Sequence, residues 1–401
     1  MISLFKRDVF VLFLLAPLVK PNYISTLQSI NIIFNIWLFI SFFSIIIFYL
    51  SCKRISSAIL LLIVFNLVIV INTIINHGHF IAALSMAVSI ISICMLVELC
   101  VNVDSRVFIR CALFYTTVIA CVNLVSVLVQ PDGLYVYEFT NAPYWFLGHR
   151  NLFAPVLFPM ITFSLLHSYD TINKINIRTY ALLFVSLLTF VTVWSVGSII
   201  GIFLILFFVI FIYNRNYSKI LNFKLYFIIY IILSILIVFM RIQNSLGSII
   251  ENVFSKDATF STRTVLWDNI IRRVAENPFG YGVEHPYDSA HNLGGSFHYL
   301  HAHNELLDIT YIGGVVALIL YITILVKVGM KLMKYKEHAL TSILSFSLFS
   351  FFIMFINEAH RSRPLYFAIL ILSLNIDKII NQYNYNKQES LIAKTTIKQG
   401  D

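Results

Sequence analysis

The sequence predicts an all-α integral membrane protein of about twelve transmembrane helices with one large extracytoplasmic loop. Three observations carry this. Of 401 residues, 59% are hydrophobic and only 12% charged, where soluble domains run near 25% charged. The apolar residues fall in long runs separated by short charged or Pro/Asn-rich breaks. The basic residues concentrate in alternate breaks, as membrane topology demands.

A span needs about 20 apolar residues. The expected cores are 5–22, 29–50, 58–76, 80–101, 107–130, 152–168, 178–194, 197–213, 225–240, 305–326, 339–357 and 364–380. The N-terminus has no small-residue cleavage site after a short apolar stretch, so it reads as a retained first span. The chain divides into an N-terminal bundle of about nine helices over 1–240, a loop over 241–304, and C-terminal helices with a tail over 305–401.

The charges orient these spans. With Lys6 and Arg7 in the cytoplasm, alternate breaks carrying Lys53/Arg54, Arg106/Arg110, Lys174/Arg178, Arg215/Lys219/Lys224 and Lys327 to Lys336 are also inside. Both termini are then cytoplasmic. Of the 28 basic residues, only Lys20, Arg150, Arg241, Lys256, Arg263, Arg272, Arg273, Arg361 and Arg363 fall outside. The net charge of +9 thus suits anionic lipid headgroups and indicates no nucleic acid. The five cysteines, Cys52, Cys94, Cys100, Cys111 and Cys121, form no CxxC pair and lie in or beside apolar segments, which indicates neither a disulfide framework nor a cysteine zinc site.

Polar chemistry gathers outside, where nine of the 11 histidines lie. Tyr144 and Trp145 are candidates for an interfacial aromatic belt. Arg150, ahead of a segment broken by Pro155 and Pro159, is a candidate anion ligand. From Ser261 to Glu276 the loop reads as an amphipathic helix, with Leu266, Ile270 and Val274 on one face. Ser261 is its expected N-cap, Asn277 to Gly282 its terminating turn, and the membrane surface its expected resting place. Arg263 stands in the first turn, where exposed N–H groups already favour an anion. It either helps cradle a phosphate or pairs with Asp257 or Asp268. Arg272 and Arg273 are expected headgroup contacts.

The loop ends in His298-Tyr299-Leu300-His301-Ala302-His303-Asn304-Glu305. His303, at a helix N-terminus, is disfavoured as imidazolium and suited to take a proton from a sugar hydroxyl. Gly313 and Gly314 permit close helix packing. His298, His301 and His303 with Glu305 or Asp308 could supply zinc ligands, but His-x-His in a loop is a weak signal. No metal and no cofactor are expected.

The ordered set Ser261-Thr262-Arg263, Leu266-Trp267, Asn277-Pro278-Phe279-Gly280-Tyr281-Gly282, His301-Ala302-His303-Asn304-Glu305-Leu306 and Gly313-Gly314 resembles the O-antigen ligase and polymerase superfamily. Gly148-His149-Arg150-Asn151 resembles an earlier element of that family. The resemblance implies a GT-C-like membrane fold acting on bacterial surface polysaccharide such as lipopolysaccharide or capsule. It implies an undecaprenyl-pyrophosphate-linked oligosaccharide as donor, an extracytoplasmic site in the cytoplasmic membrane, and metal-independent inverting glycosyl transfer. A chain-length regulator and a flippase are the partners it suggests besides the bilayer. His303 and Arg263 take the catalytic roles, and Arg150, His301, Asn304, Glu305, Trp267, Arg361 and Arg363 are binding candidates. Where family members carry an arginine in a Ser-Arg-Gly-like run, this chain has Trp194-Ser195-Val196-Gly197-Ser198. Arg150, or Arg361 with Arg363, are its expected substitutes. The missing arginine weighs towards a polymerase joining repeat units. The alternative is a ligase transferring the glycan to lipid A core, and the third reading is a lipid-linked oligosaccharide transporter. The apolar cores hold few of the ionisable groups that transport needs.

Overall fold

The computed structural model describes residues 2–52, 55–137, 142–212, 220–241, 263–294, 300–359 and 363–398. These residues are overwhelmingly helical, with fifteen α-helices and one two-stranded hairpin among them. The helices are α1 (Ile2–Leu15), α2 (Gln28–Ser51), α3 (Ser57–Ile75), α4 (Phe80–Val103), α5 (Ser105–Val129), α6 (Ala154–Ile172), α7 (Ile177–Thr192) and α8 (Val196–Phe207). After them come α9 (Phe223–Ser234), α10 (Arg263–Glu276), α11 (Pro286–Gly294), α12 (Glu305–Lys334), α13 (Ala339–Phe355), α14 (Pro364–Leu374) and α15 (Ile376–Lys398).

Six of these segments are long and apolar enough to cross a membrane: α2, α3, α4, α5, α6 with its leading turn, and α12. A seventh is reached if α14 and α15, bent by 69° at their junction, count as one span. Of the other expected cores, four form shorter apolar helices, α7, α13, and α8 and α9, which each continue into a π-helical turn, while 5–22 forms only the 14-residue α1 and a 3₁₀ turn over Ala16–Val19. At 1.5 Å rise per residue such helices cover less than a bilayer core. The broad outward display of Ile, Leu, Val and Phe along α2, where Ile33, Ile36, Phe43 and Ile47 are all more than half exposed, is what lipid as solvent permits.

Helix boundaries follow local chemistry. Ser56 and Asn176 cap α3 and α7 by accepting the backbone N–H groups of Ile59 and Thr179. Pro155 sits in the first turn of α6, where a missing N–H costs nothing. Around α4 pack α2, α3, α5 and α14. At one end of the bundle half-buried ion pairs tie the helices: Arg7–Asp104 at 2.9 Å, Arg110–Asp8 at 2.9 Å and Arg106–Asp170 at 2.7 Å.

Three expectations are corrected. Helix α10 does not lay its apolar face on a membrane surface: Leu266, Trp267 and Ile270 are buried in the protein core, with α12 and α11 as neighbours. Trp145 is no belt residue. It is buried, donates its indole N–H to the Gln130 carbonyl at 2.8 Å and meets Phe153 edge-on. It follows a hairpin that pairs Tyr135 with Tyr144 and Tyr137 with Ala142. Arg273 is not a headgroup contact either, since its guanidinium lies 4.4 Å over the Tyr281 ring and 3.7 Å from Glu284. Arg272 is exposed.

The glycine pair is used partly otherwise than expected. Gly313 packs against Ile69 of α3, but Gly314 breaks α12 at φ 69°. The backbone freed by that break bonds to the Pro278–Gly282 loop: Val315 N–H to the Pro278 carbonyl, Tyr281 N–H to Tyr311 and Gly282 N–H to Ile312, at 2.8 to 2.9 Å. A Cβ on Gly314 would stand 2.3 Å from the Phe279 carbonyl oxygen, and one on Gly280 would stand 2.4 Å from the Gly314 nitrogen. Only glycine allows two backbones this close. The loop-to-helix docking fixes α10 relative to α12, and with it Arg263 relative to His303.

Candidate active site

Glu358, just beyond α13, is the centre on which the expected site residues meet. Its side chain is 5% exposed. The amide of Asn151 donates to Oε2 at 2.5 Å. His303 Nδ1 lies 3.2 Å from Oε2, His301 Nε2 3.1 Å from Oε1, and Arg263 Nη2 3.8 Å from Oε2. Arg263 also donates to the Asn357 carbonyl at 2.6 Å. Burial by itself would raise the Glu358 carboxyl. The imidazoles of His303 and His301 and the Arg263 guanidinium outweigh it and hold the group well below the usual carboxylate range.

The His301–His303 segment is clamped at its middle residue. Ala302 receives the indole N–H of Trp267 on its carbonyl at 3.0 Å and donates its own N–H to Asp308 at 2.9 Å. The two flanking imidazoles, with centroids 4.1 Å apart, are thereby turned to the same carboxylate. His303 adopts φ +48°. A non-glycine residue held there costs on the order of 1–3 kcal/mol and persists only where its surroundings impose it. Trp194, at φ +51°, is a second such residue beside the site.

A cavity of about 360 Å³ opens against this cluster, lined by Arg150, Asn151, Arg263, Asn357, Glu358 and the Trp194–Ser198 turn. Helix α8 starts at Val196, so its positive end abuts the cavity. A Cβ on Gly197 would meet nothing within 4 Å. The segment lacking the expected arginine is therefore at the site and offers a helix terminus there. Arg150, which also lines the cavity, donates to the Val193 carbonyl just before that turn at 3.5 Å. The cavity brings two guanidiniums and that helix end together with the Glu358 carboxylate.

His149 lies close enough for its electrostatics to involve Glu358, Arg150, His303 and Arg263. Burial first, then the neighbouring cations, push it down to about 4, against the pull of Glu358. It is thus neutral at pH 7.

Several expected binding residues are placed otherwise. Glu305 is wholly buried in the first turn of α12, without access to a substrate. Asn304, 1% exposed, caps α12 by accepting the Leu307 N–H and donates to the Ile356 carbonyl. Trp267, also 1% exposed, supports Ala302 from beneath. Arg363 faces a neighbouring cavity. Arg361, Ser261, Asp257 and His298 lie outside the described residues. Asp268, offered as a partner of Arg263, pairs with Arg241 instead.

Sequence reasoning missed Glu358. Its signal is a single acid in Asn357-Glu358-Ala359-His360-Arg361 at the end of an apolar run, where the sequence reading takes up only the histidine and the arginine. The nearest ring nitrogens of His301 and His303 and an oxygen of Glu358 lie within 4.8 Å of one another, a spacing open to a metal ion. Hydrogen bonding within the cluster satisfies the same atoms.

The fold and site together define a helical multi-span membrane protein with a buried carboxylate–histidine–arginine centre beside a cavity that Arg150 and Arg263 line. Residues 181–322 match the family model for O-antigen ligase, and that match supports the O-antigen ligase and polymerase superfamily to which the motifs pointed. The family implies glycosyl transfer in O-antigen assembly. Among curated proteins none matches the chain.

Proposed function

We propose that the chain is a polymerase that joins undecaprenyl-pyrophosphate-linked oligosaccharide repeat units at the outer face of the bacterial cytoplasmic membrane. The observation that carries this reading is the meeting of Arg263, His303, His301 and Asn151 on Glu358, beside a cavity that Arg150 and the start of α8 also line. In this reading the shorter apolar helices complete a set of about twelve spans, the ion-paired end of the bundle faces the cytoplasm, and 241–304 forms the catalytic loop.

The reaction breaks the bond between the anomeric carbon of the donor glycan and its diphosphate oxygen. A hydroxyl of the acceptor attacks from the opposite face, so the new glycosidic bond has inverted configuration. The electron pair leaves with the lipid diphosphate. Arg263 and Arg150, with the α8 N-terminus, meet the negative charge growing there, and loss of one such partner typically costs roughly 10²- to 10³-fold. The hydroxyl proton passes to Nε2 of His303, because Glu358 holds the Nδ1–H tautomer and stabilises the imidazolium that forms. Base assistance of this kind contributes about 10²- to 10⁴-fold.

The ligase is the second reading, supported by the description of the matching family. The arginine-free run Trp194–Ser198 weighs towards the polymerase. Deletion of the gene separates the two. Loss of a polymerase leaves single repeat units on the surface anchor, whereas loss of a ligase strands long polymer on its lipid carrier. Long polymer on the carrier in the deletion strain would overturn the polymerase reading.

A further inference from the structure

The hairpin ahead of Arg150 carries an aromatic row for which the chemistry above has no use. Its register pairs Tyr135 with Tyr144. Side chains alternate along a strand, so Tyr135, Tyr137 and Tyr144 share one face, while Pro143 and Val136, the latter 59% exposed, lie on the other. The tyrosine face is half-buried. From Tyr137 the ring centroids step 5.4 Å to Tyr144 and 5.6 Å on to His149. Tyr135 stands 5.3 Å from Tyr144, and Tyr23 6.0 Å from Tyr135. Each of these pairs is tilted by 41° to 45°. Rings so tilted do not cover one another's faces, which leaves surface for a further partner. The row ends at the catalytic centre. His149 adjoins Arg150, which lines the cavity, and its imidazole is within electrostatic reach of Glu358 and His303. The hairpin's end is also fixed in place: Leu147 N–H donates to Asn123 Oδ1 at 2.9 Å and Phe146 N–H to Ser126 Oγ at 3.3 Å, both on α5. The Tyr23 N–H donates to the Phe146 carbonyl at 3.1 Å.

We propose that this row is the subsite for the sugar rings of the donor glycan, which lie along Tyr137 and Tyr144 and meet the reacting centre at His149. The inference rests on the glycosyl-transfer reading, which sets the donor diphosphate beside Arg150. A pyranose offers C–H groups on its faces and hydroxyls around its rim. Tyrosine answers both, with an apolar ring face and a phenol that donates and accepts hydrogen bonds. It does so at low entropic cost, having two side-chain torsions to fix. Phenols and a neutral imidazole bring no positive charge with which to draw a lipid phosphate. A membrane belt would also turn its rings outward, whereas here Val136 and Pro143 are the exposed face and the tyrosines lie on the face that leads to His149.

The test compares two lipids that differ only in the sugar. The full chain in phosphatidylcholine nanodiscs is titrated with the undecaprenyl-diphosphate-linked repeat unit, isolated from the deletion strain, and separately with bare undecaprenyl diphosphate. Binding is read by native mass spectrometry. Wild type should bind the glycosylated carrier ~10-fold more tightly than the bare one. Tyr137→Leu with Tyr144→Leu should lose that preference while binding the bare carrier as wild type does. Tyr137→Phe with Tyr144→Phe keeps the rings and should retain most of it. Where the leucine pair does not insert, Tyr137→Leu alone, at the end of its strand, should lose part of the preference. An unchanged preference in the leucine variants would overturn the assignment. So would an equal loss of affinity for both lipids, which would mark a structural or headgroup-anchoring role. A wild type that binds the bare carrier but shows no preference for the sugar would sink the subsite and leave the transfer reading standing. A wild type that binds neither lipid would sink both.

Discussion

Nδ1 of His303 stands 3.2 Å from Oε2 of Glu358, joining residues 55 positions apart. The contact sets the imidazole tautomer through a carboxylate that is itself held by Asn151 and Arg263. The same oxygen is thus shared between the proposed base and a guanidinium that lines the cavity.

Glu358→Gln keeps the side-chain volume and removes the charge. Glycan elongation should fall by about 10²- to 10⁴-fold, close to the loss in His303→Ala, while the protein still inserts. Polymer ladders on gels, read against membrane-protein abundance, check this. Full-length ladders in Glu358→Gln would remove the carboxylate from the mechanism.

Arg263→Lys preserves one positive charge but loses the planar fork that reaches Glu358, the Asn357 carbonyl and a phosphate together. We expect activity reduced at least tenfold, and by roughly 10²- to 10³-fold in Arg263→Ala. In vitro elongation rates with a lipid-linked repeat decide the ranking. A fully active lysine variant would reduce Arg263 to a point charge.

Gly314→Ala places a Cβ against the Phe279 carbonyl oxygen at a backbone φ of 69°. The docked loop must shift, costing on the order of 1–3 kcal/mol from the backbone conformation alone. Thermal unfolding in detergent should show a lowered midpoint, and elongation should fall with it, because α10 and the histidine segment lose their common anchor. Gly197→Ala, with open space around its Cβ, is the matched control and should leave the midpoint unchanged.

Acid should destabilise the site in two stages. His149 is depressed to about 4 from its ordinary 6.5, so the unfolded chain binds the extra proton first. Its contribution is complete above pH 6.5 and is lost as pH falls towards 4. Glu358 is also depressed, from 4.5. Its contribution is complete above its ordinary value and disappears as pH falls through its lower folded value. Melting midpoints between pH 8 and 4 should therefore decline below about 6.5, and His149→Gln should flatten the upper part of that decline.

Chelation tests the remaining use of the His301–His303–Glu358 cluster. With the donor already activated as a diphosphate ester, elongation should continue unchanged in EDTA. Loss of activity restored by zinc would assign these three residues to a metal instead.

The primary sequence by itself determined the helical membrane class, because the solvent for so many apolar residues has to be lipid and every backbone group in lipid has to bond within a helix. It also singled out Arg263, His301 and His303 as candidates, since arginine and histidine in ordered spacing on α10 and before α12 are local features. It did not determine how many helices are long enough to span, because the breaks at α7–α8 and α14–α15 depend on packing. Tertiary structure alone decided that Glu358, Asn151, Arg263 and His303 share one centre, that Gly314 receives a loop, and that Arg363 serves a different cavity. Those relations join positions up to 207 residues apart. Periodicity and spacing report only on neighbours along a helix or strand, so contacts made across the folded bundle leave no mark in them.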